Sequence, residues 1–376
     1  MILKNAMVLD EEFNFKKFNV GIIGERISLS GSKCSGEVLD LGGMYLVPGL
    51  IDTHIHGAYG AEADWATKES LDTMSRFEAS QGVTTFAPTI RTLSLADIEY
   101  AIKSIASVKS VGGAKNGGIH LEGPFVSHQY KGALLEDYII DPNISILKSF
   151  CEAGKGAIKI ITLSPELEGA DKLIQYAVSQ GIAVSIGHTN ASFEETEQAI
   201  SLGATQVTHL FNAMRPFNHR DPGVLGSVLN NEKVKCELIC DFVHVHPSVV
   251  KMAYKLKGGD LINVISDSCS AAGLGDGEYT VSGQTRYVSG GVARTQNGTI
   301  AGSIKTVLNG VQNLVSIGIP LETAVKTASI NPAKTLGIDK ETGSIQCGKY
   351  ADLIVLDKSL NVQHTFVNGK CAYKAH

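Results

Sequence analysis

No apolar run in this 376-residue sequence approaches the ~20 residues that span a bilayer, so no membrane-crossing helix is expected. A basic excess is also missing. Lys and Arg number 33 against 38 Asp and Glu, a formal charge of −5, which leaves no positive footprint for nucleic acid or an anionic membrane surface. The opening MILKNAMVLD lacks the basic-then-apolar profile of a signal peptide and alternates like a strand, so a cytoplasmic location is expected. Seven cysteines, at 34, 151, 236, 240, 269, 347 and 371, are scattered and odd in number, which is not a disulfide framework. Cys236 and Cys240 share a strand face in KCELIC, but no second pair lies near to complete a zinc knuckle, and they read as core filler. The run Gly273-Leu274-Gly275-Asp276-Gly277 completes no phosphate-binding or dinucleotide pattern, so no nucleotide cofactor is implied; it reads as a flexible loop. Internal repeats and low-complexity segments are absent too.

What is present is a globular composition, 43% hydrophobic and 19% charged, with 40 glycines that suit many tight strand–helix turns. Residues 1–48 read as short strands, ILKNAMVL, FNVGIIGERISL and EVLDLGGMYLVPG, and residues 344–376 read alike, with Asn368-Gly369 as a hairpin turn. Two β-rich ends enclosing a different middle suggest one small β domain built from both termini. Between them, residues 49–343 alternate apolar runs with amphipathic stretches. Candidate strands end at Asp52, Pro88, Glu122, Leu163, His188, His209, Asp241 and Asp267, with helix-like segments at 67–81, 94–108, 168–180 and 192–202. In the last of these Ser192 is placed to cap, and Phe193 and Ile200 share a face. Near-continuous apolar strands such as IAVSIGH and LINVISD fit a parallel sheet buried on both faces. The expected fold is α/β, a (β/α)8 TIM-type barrel with a small β-sandwich domain formed by both termini. A doubly wound sheet is the alternative, because counting strands from sequence errs by about one or two.

In a barrel, the residues that end the strands share one mouth, where active sites of this architecture lie. Strand one ends in His54 and His56, strand three in Glu122, strand five in His188, strand six in His209 and strand eight in Asp267. Alternation in a strand puts His54 and His56 on one side. Singly, each has a plainer reading: a hydrogen-bonded structural histidine, or for Asp267 a helix cap. Together, four imidazoles and two carboxylates from five strands form a ligand set for a divalent metal such as zinc or ferrous iron. Such a metal makes water nucleophilic at neutral pH, and Asp267 is placed to take the water proton and pass it to a departing amine. His244-x-His246 mimics the first pair but lies beyond strand seven, and Pro247 would start the next helix, so it does not read as a metal site.

These segments resemble the amidohydrolase superfamily and, within it, the N-acetylglucosamine-6-phosphate deacetylases. LVPGLIDTHIHG and NPAKTLGI…GSIQCGKYADLIVLD carry the superfamily likeness, while HLEGPF, GHTNASFEE, THLFNAM and DPGVLG carry the narrower one. The resemblance implies that Glu122, His188 and His209 bind a principal metal, that His54 and His56 allow a second ion bridged through Glu122, and that Asp267 is the catalytic acid–base. One or two ions, zinc or iron, are implied. It further implies that Asn212 and Ala213 position a sugar phosphate, that Ala133 makes a backbone contact to the sugar, and that Ile300, Ala301 and Gly302 form a closing loop. Arg220 and His244 match phosphate contacts, one of them reaching across a homodimer. Where the family often carries a histidine, this sequence has Leu134, with His128 as a substitute donor or a surface residue. Lys159 sits where other superfamily members carry a bridging lysine, but reads here as core or solvated. The expected activity is removal of the N-acetyl group from N-acetylglucosamine 6-phosphate. The galacto epimer, another cyclic amidase or deaminase, and a non-catalytic relative are the alternatives.

Overall fold

The computed structural model describes residues 1–29, 36–108, 112–281 and 284–375; Cys34 lies outside them. Eight parallel strands, Leu50–Ile55, Val83–Ile90, Ile119–Glu122, Ile158–Leu163, Ala183–Ile186, Gln206–Val207, Lys235–Ile239 and Ile262–Ile265, pair in chain order. The ring closes where Ile55 bridges Ser268 in parallel and the Asp267 N–H donates to the His54 carbonyl at 2.9 Å. That closure is a (β/α)8 barrel and removes the doubly wound alternative. The strand ends fall within three residues of those read from sequence.

Helices at Lys68–Ser80, Leu95–Ser107, Ala170–Ser179 and Phe193–Ser201 follow strands one, two, four and five. Their starts are set locally. Thr67 accepts from Ser70 N–H and Ser94 from Asp97 N–H, while Ser192 and Glu195 form a reciprocal capping box, each cap contributing about 1 kcal/mol. The fully buried positions of the last helix are Thr196 and Ala199; Phe193 and Ile200 are only half-buried. Small residues face inward there because that helix lies close against Gly223–Asn230.

The terminal segments form one mixed sheet ordered Lys370–Lys374, Val362–Val367, Leu353–Leu356, Tyr45–Pro48, Ile2–Leu9, Phe15–Ile23, Arg26–Ser28, with Val38–Asp40 also on Ile2–Leu9. It curls until Ile27 exchanges backbone hydrogen bonds with Gly348 and Lys349, enclosing Leu3, Val8, Val20, Leu46, Leu353 and Phe366 in its own core. Asn368 and Gly369 both have positive φ, 48° and 75°, the geometry of a two-residue hairpin turn. Lys115 pairs with Asp352 at 2.5 Å and ties this sheet to the barrel.

One element differs from the sequence reading. Beyond the eighth strand, Gly277–Val281, Gln284–Ser289 and Val292–Thr295 form a three-stranded antiparallel sheet at the barrel mouth. The glycine run read as a flexible loop instead leads into it: Gly277 opens the first strand, and Tyr279 Oη donates to the Leu274 carbonyl at 3.0 Å. Gly290 and Gly291, at φ 59° and 81°, make its second turn. Among the described residues no helix is long and apolar enough to cross a membrane.

Below the mouth, Glu78 is 1% exposed and neither carboxyl oxygen has a hydrogen-bond partner. Burial, then the neighbouring Asp52, pushes its carboxyl well above the usual range. Folding therefore takes up a proton above the unfolded value of 4.5, and stability falls by about 1.4 kcal/mol per pH unit until the folded carboxyl ionises. Glu78→Gln is expected to be the more stable form at pH 8, with the gap closing toward pH 4; urea midpoints at both pH values check this.

Candidate metal centre and its pocket

The six residues expected at the strand ends do converge. Glu122 Oε1 lies 3.2, 3.0 and 3.1 Å from Nε2 of His54, His188 and His209, and its Oε2 lies 3.2 Å from His56 Nε2. Asp267 Oδ1 is 3.3 Å from His56 Nε2 and 3.6 Å from His54 Nε2. Nε2 atoms also meet one another, His54 with His56 at 3.3 Å and His188 with His209 at 3.1 Å. Nitrogen lone pairs and carboxylates at such separations fit a shared cation better than any proton arrangement. Two donor triples lie side by side, His54/His56/Asp267 and Glu122/His188/His209, with Glu122 reaching both. The set fits one or two divalent ions, with the imidazole-rich, oxygen-completed chemistry of zinc or iron.

The imidazoles are pre-oriented. Nδ1 of His188 meets the Tyr130 carbonyl at 2.9 Å, Nδ1 of His209 the Asn212 carbonyl at 3.1 Å, and Nδ1 of His54 Glu237 Oε2 at 3.0 Å. Each of these contacts fixes the proton on Nδ1 and turns Nε2 to the centre. His188, His209 and Asp267 adopt left-handed backbone, φ 50°, 28° and 48°, which turns the chain just past its strand end. Burial opposes charge throughout, but paired groups outweigh it. His54 and then His188 hold Glu122 well below the usual carboxylate range, and His54 and His56 hold Asp267 at about 2. In return Glu122 and Asp267 raise His54 well above its ordinary value and His56 to about 9.

The cavity above, about 310 Å³, is lined at this end by His56, Glu122, His188, His209 and Asp267, and elsewhere by Ala133, Asn212, Ala213, His244 and the Ile300–Gly302 segment. His54 sits beneath it, fully buried. Leu134 lines the cavity, whereas His128 is exposed beside Glu136 and supplies no donor there. His244 donates from Nδ1 to Asp241 Oδ2 at 2.7 Å; burial disfavours its charge, but Asp241 outweighs this and raises its pKa. Arg220 is the exception: it is exposed on the 215–222 loop and is not among the residues lining this chain's cavity. His246 caps the helix Pro247–Lys257 by accepting from Ser248 N–H, as befits the non-metal reading. Lys159 lies near the start of strand four, its chain packed close on Gly118, away from the mouth. Cys236 and Cys240 are buried in the core.

Sequence reasoning missed the groups behind the ligands. Glu237 is fully buried, accepts from Gln206 Nε2 at 2.8 Å with its other oxygen, and orients His54. Its signal was a lone carboxylate inside the apolar strand KCELI. His120, two residues before Glu122, bonds the Thr53 carbonyl at 3.1 Å and Thr162 Oγ1 at 2.8 Å; burial and the charge of His54 keep it neutral. Glu237→Gln is expected to weaken metal binding by about 10- to 100-fold without abolishing it, as read by competition with a chromogenic chelator.

A closed barrel whose mouth gathers four histidines and two carboxylates defines a metal-dependent hydrolase class, and the comparisons agree: the chain belongs to the amidohydrolase family, which it matches over residues 45–372. It is 38% identical over 371 residues to N-acetylglucosamine-6-phosphate deacetylase of Lysinibacillus sphaericus, covering 97% of this chain and 95% of that one. It is 35% identical to N-acetylgalactosamine-6-phosphate deacetylase of Escherichia coli O157:H7, covering 87% of each. Among solved structures, a mutant N-acetyl-D-glucosamine-6-phosphate deacetylase from Mycobacterium smegmatis, in complex with N-acetyl-D-glucosamine-6-phosphate, superposes with a TM-score of 0.92 at 30% identity, covering 100% of this chain and 99% of that one.

Proposed function

We propose that the protein is a metal-dependent deacetylase that removes the acetyl group from N-acetylglucosamine 6-phosphate, giving glucosamine 6-phosphate and acetate. The observation that carries this reading is a cavity of about 310 Å³ with the metal-ligand cluster at one end and the Asp241-supported His244 on its wall. A cluster alone would suit any amide hydrolase. A buried, cation-favouring histidine beside Asn212 and Ala213 suits a phosphorylated substrate.

Zinc or iron, one or two ions, would be held by His54, His56, Glu122, His188, His209 and Asp267. A bound ion supplies Lewis-acid chemistry, making water nucleophilic near neutral pH and drawing charge from the amide carbonyl oxygen. The chain's own residues do the rest. Asp267, a carboxylate favoured by the cationic groups it faces, accepts the proton of the attacking water and delivers it to the leaving nitrogen, which departs as an amine. Asn212, Ala213, His244 and the backbone at Ala133 hold the sugar phosphate, and the Ile300–Gly302 segment covers it. Leu134 gives the acetyl side an apolar wall. Residues 49–343 form the catalytic barrel in this reading, with 1–48 and 344–376 as the small β domain.

Arg220 is exposed and outside its own chain's cavity, which fits a homodimer in which it completes the neighbour's phosphate site. Arg220→Ala is expected to raise KM for the phosphorylated sugar by about 10- to 100-fold, the worth of a charge-assisted hydrogen bond, with kcat little changed. Unaltered KM would refute the phosphate assignment. The activity itself is tested by acetate release from N-acetylglucosamine and N-acetylgalactosamine 6-phosphates and their unphosphorylated forms. Release confined to a phosphorylated sugar supports the reading and fixes the epimer; release from none of the four overturns it.

A further inference from the structure

Arg286 stands on the second strand of the three-stranded mouth sheet, 5% exposed, and lines the cavity. One arm of its guanidinium is committed: Nη1 donates to Glu62 Oε1 at 2.5 Å and to Ser270 Oγ at 3.0 Å. Nε and Nη2 have no hydrogen bond to any described residue, yet they are not among the fully enclosed, unpartnered atoms. Since Arg286 lines the cavity, Nε and Nη2 are the donors it has left to offer there. Their support is rigid, because Glu62 Oε2 accepts from Arg91 Nη2 at 2.8 Å, and Arg91 Nε donates to Asp64 Oδ2 at 2.6 Å. Two carboxylates and two guanidiniums cancel in charge, so this corner is suited to a neutral oxygen and not to a second phosphate.

Its place around the mouth says which oxygen. Asn212, Ala213 and His244 come from the loops after strands six and seven. Glu62 and Ser270, which hold Arg286, come from the loops after strands one and eight, and Arg91 follows strand two. A hexosamine ring with its C6 phosphate toward the first group turns its opposite edge, C1, C2 and C3, toward the second. The amide on C2 descends to the metal cluster, and a hydroxyl on C1 or C3 is left facing Arg286. We propose that Arg286 is a substrate-positioning residue that donates to a hydroxyl adjacent to the amide-bearing carbon, selecting sugars over simple amides; this rests on the deacetylase reading above.

The test compares kcat/KM of the wild type, Arg286→Met and Arg286→Lys on N-acetylglucosamine 6-phosphate and on its 1-deoxy and 3-deoxy analogues. The wild type should favour the parent sugar over one analogue by about 10- to 100-fold. Arg286→Met should lose a similar factor on the parent and no longer discriminate, with metal content unchanged. Arg286→Lys keeps a cation beside Glu62 and serves if the Met variant does not fold; it should lose most of the discrimination while the sheet stays in place. Equal losses on all three substrates, with the wild-type preference intact, would reduce Arg286 to a staple for the mouth sheet and overturn the proposal. A wild type that does not discriminate overturns it too. No acetate from the parent sugar with the wild type is the distinct result that removes the deacetylase reading itself.

Discussion

Asp267→Asn is expected to lower kcat by about 10³-fold while KM moves by no more than a few-fold. The substitution is isosteric, so Oδ1 remains 3.3 Å from His56 and still offers a lone pair to a metal. What disappears is basicity. In the metal-free site burial would by itself push the Asp267 carboxyl upward, but His54 and His56 hold it at about 2; a metal cation in their midst favours the carboxylate in the same way, so it can accept a proton. The amide that replaces it can neither take the proton of the attacking water nor return one to the amine, and expelling an unprotonated amide nitrogen is prohibitively slow. Asn212 and His244, the residues proposed to hold the sugar phosphate, line the cavity and are left unaltered, which is why binding should survive. The checks are steady-state kinetics and metal analysis on the same sample. A parallel rise in KM, or loss of metal to a comparable extent, would make Asp267 chiefly a ligand.

Much of this was legible in the chain. Strand ends announced themselves because a barrel strand buried on both faces is a continuous apolar run that stops abruptly at a polar residue, as at Glu122 and Asp267. Asn368-Gly369 was legible because few residue pairs accept two positive φ values. The mouth sheet was not, since Gly277–Val281 and Gln284–Ser289 are half-polar strands that follow directly on the glycine run 273–277. Glu237 was hidden by its position: it lies inside the strand Lys235–Ile239 and not at its end, where the pattern of mouth residues is read. Arg286 and Glu62 lie 224 residues apart, so no local spacing could pair them. Arg220 shows the converse: its phosphate role was an expectation from resemblance, and the structure places it on an exposed loop outside its own chain's cavity.

Glu122→Gln is expected to cost more than any other single change at the site, because Glu122 belongs to one donor triple and also touches His54 and His56 of the other. Its two oxygens lie within 3.2 Å of four imidazole nitrogens, and the substitution brings an N–H₂ group to where lone pairs converge. Bound metal should fall to less than about a tenth of the wild-type content and turnover by more than about 10³-fold. Stability of the metal-free protein gives an independent reading. There Glu122 shares with Asp267 the negative charge that keeps His54 and His56 protonated, and removing one partner of buried charges costs about 3 kcal/mol or more. The sign with pH follows from His56, raised to about 9: its contribution is complete below its unfolded value of 6.5 and is lost as pH rises through 9. Metal-free wild type should therefore exceed metal-free Glu122→Gln in melting temperature most clearly near pH 6, with the gap narrowing above pH 9. A gap that widens with pH would mean that the imidazoles are neutral in the metal-free protein, and that Glu122 is held by its surroundings and not by the charges it faces.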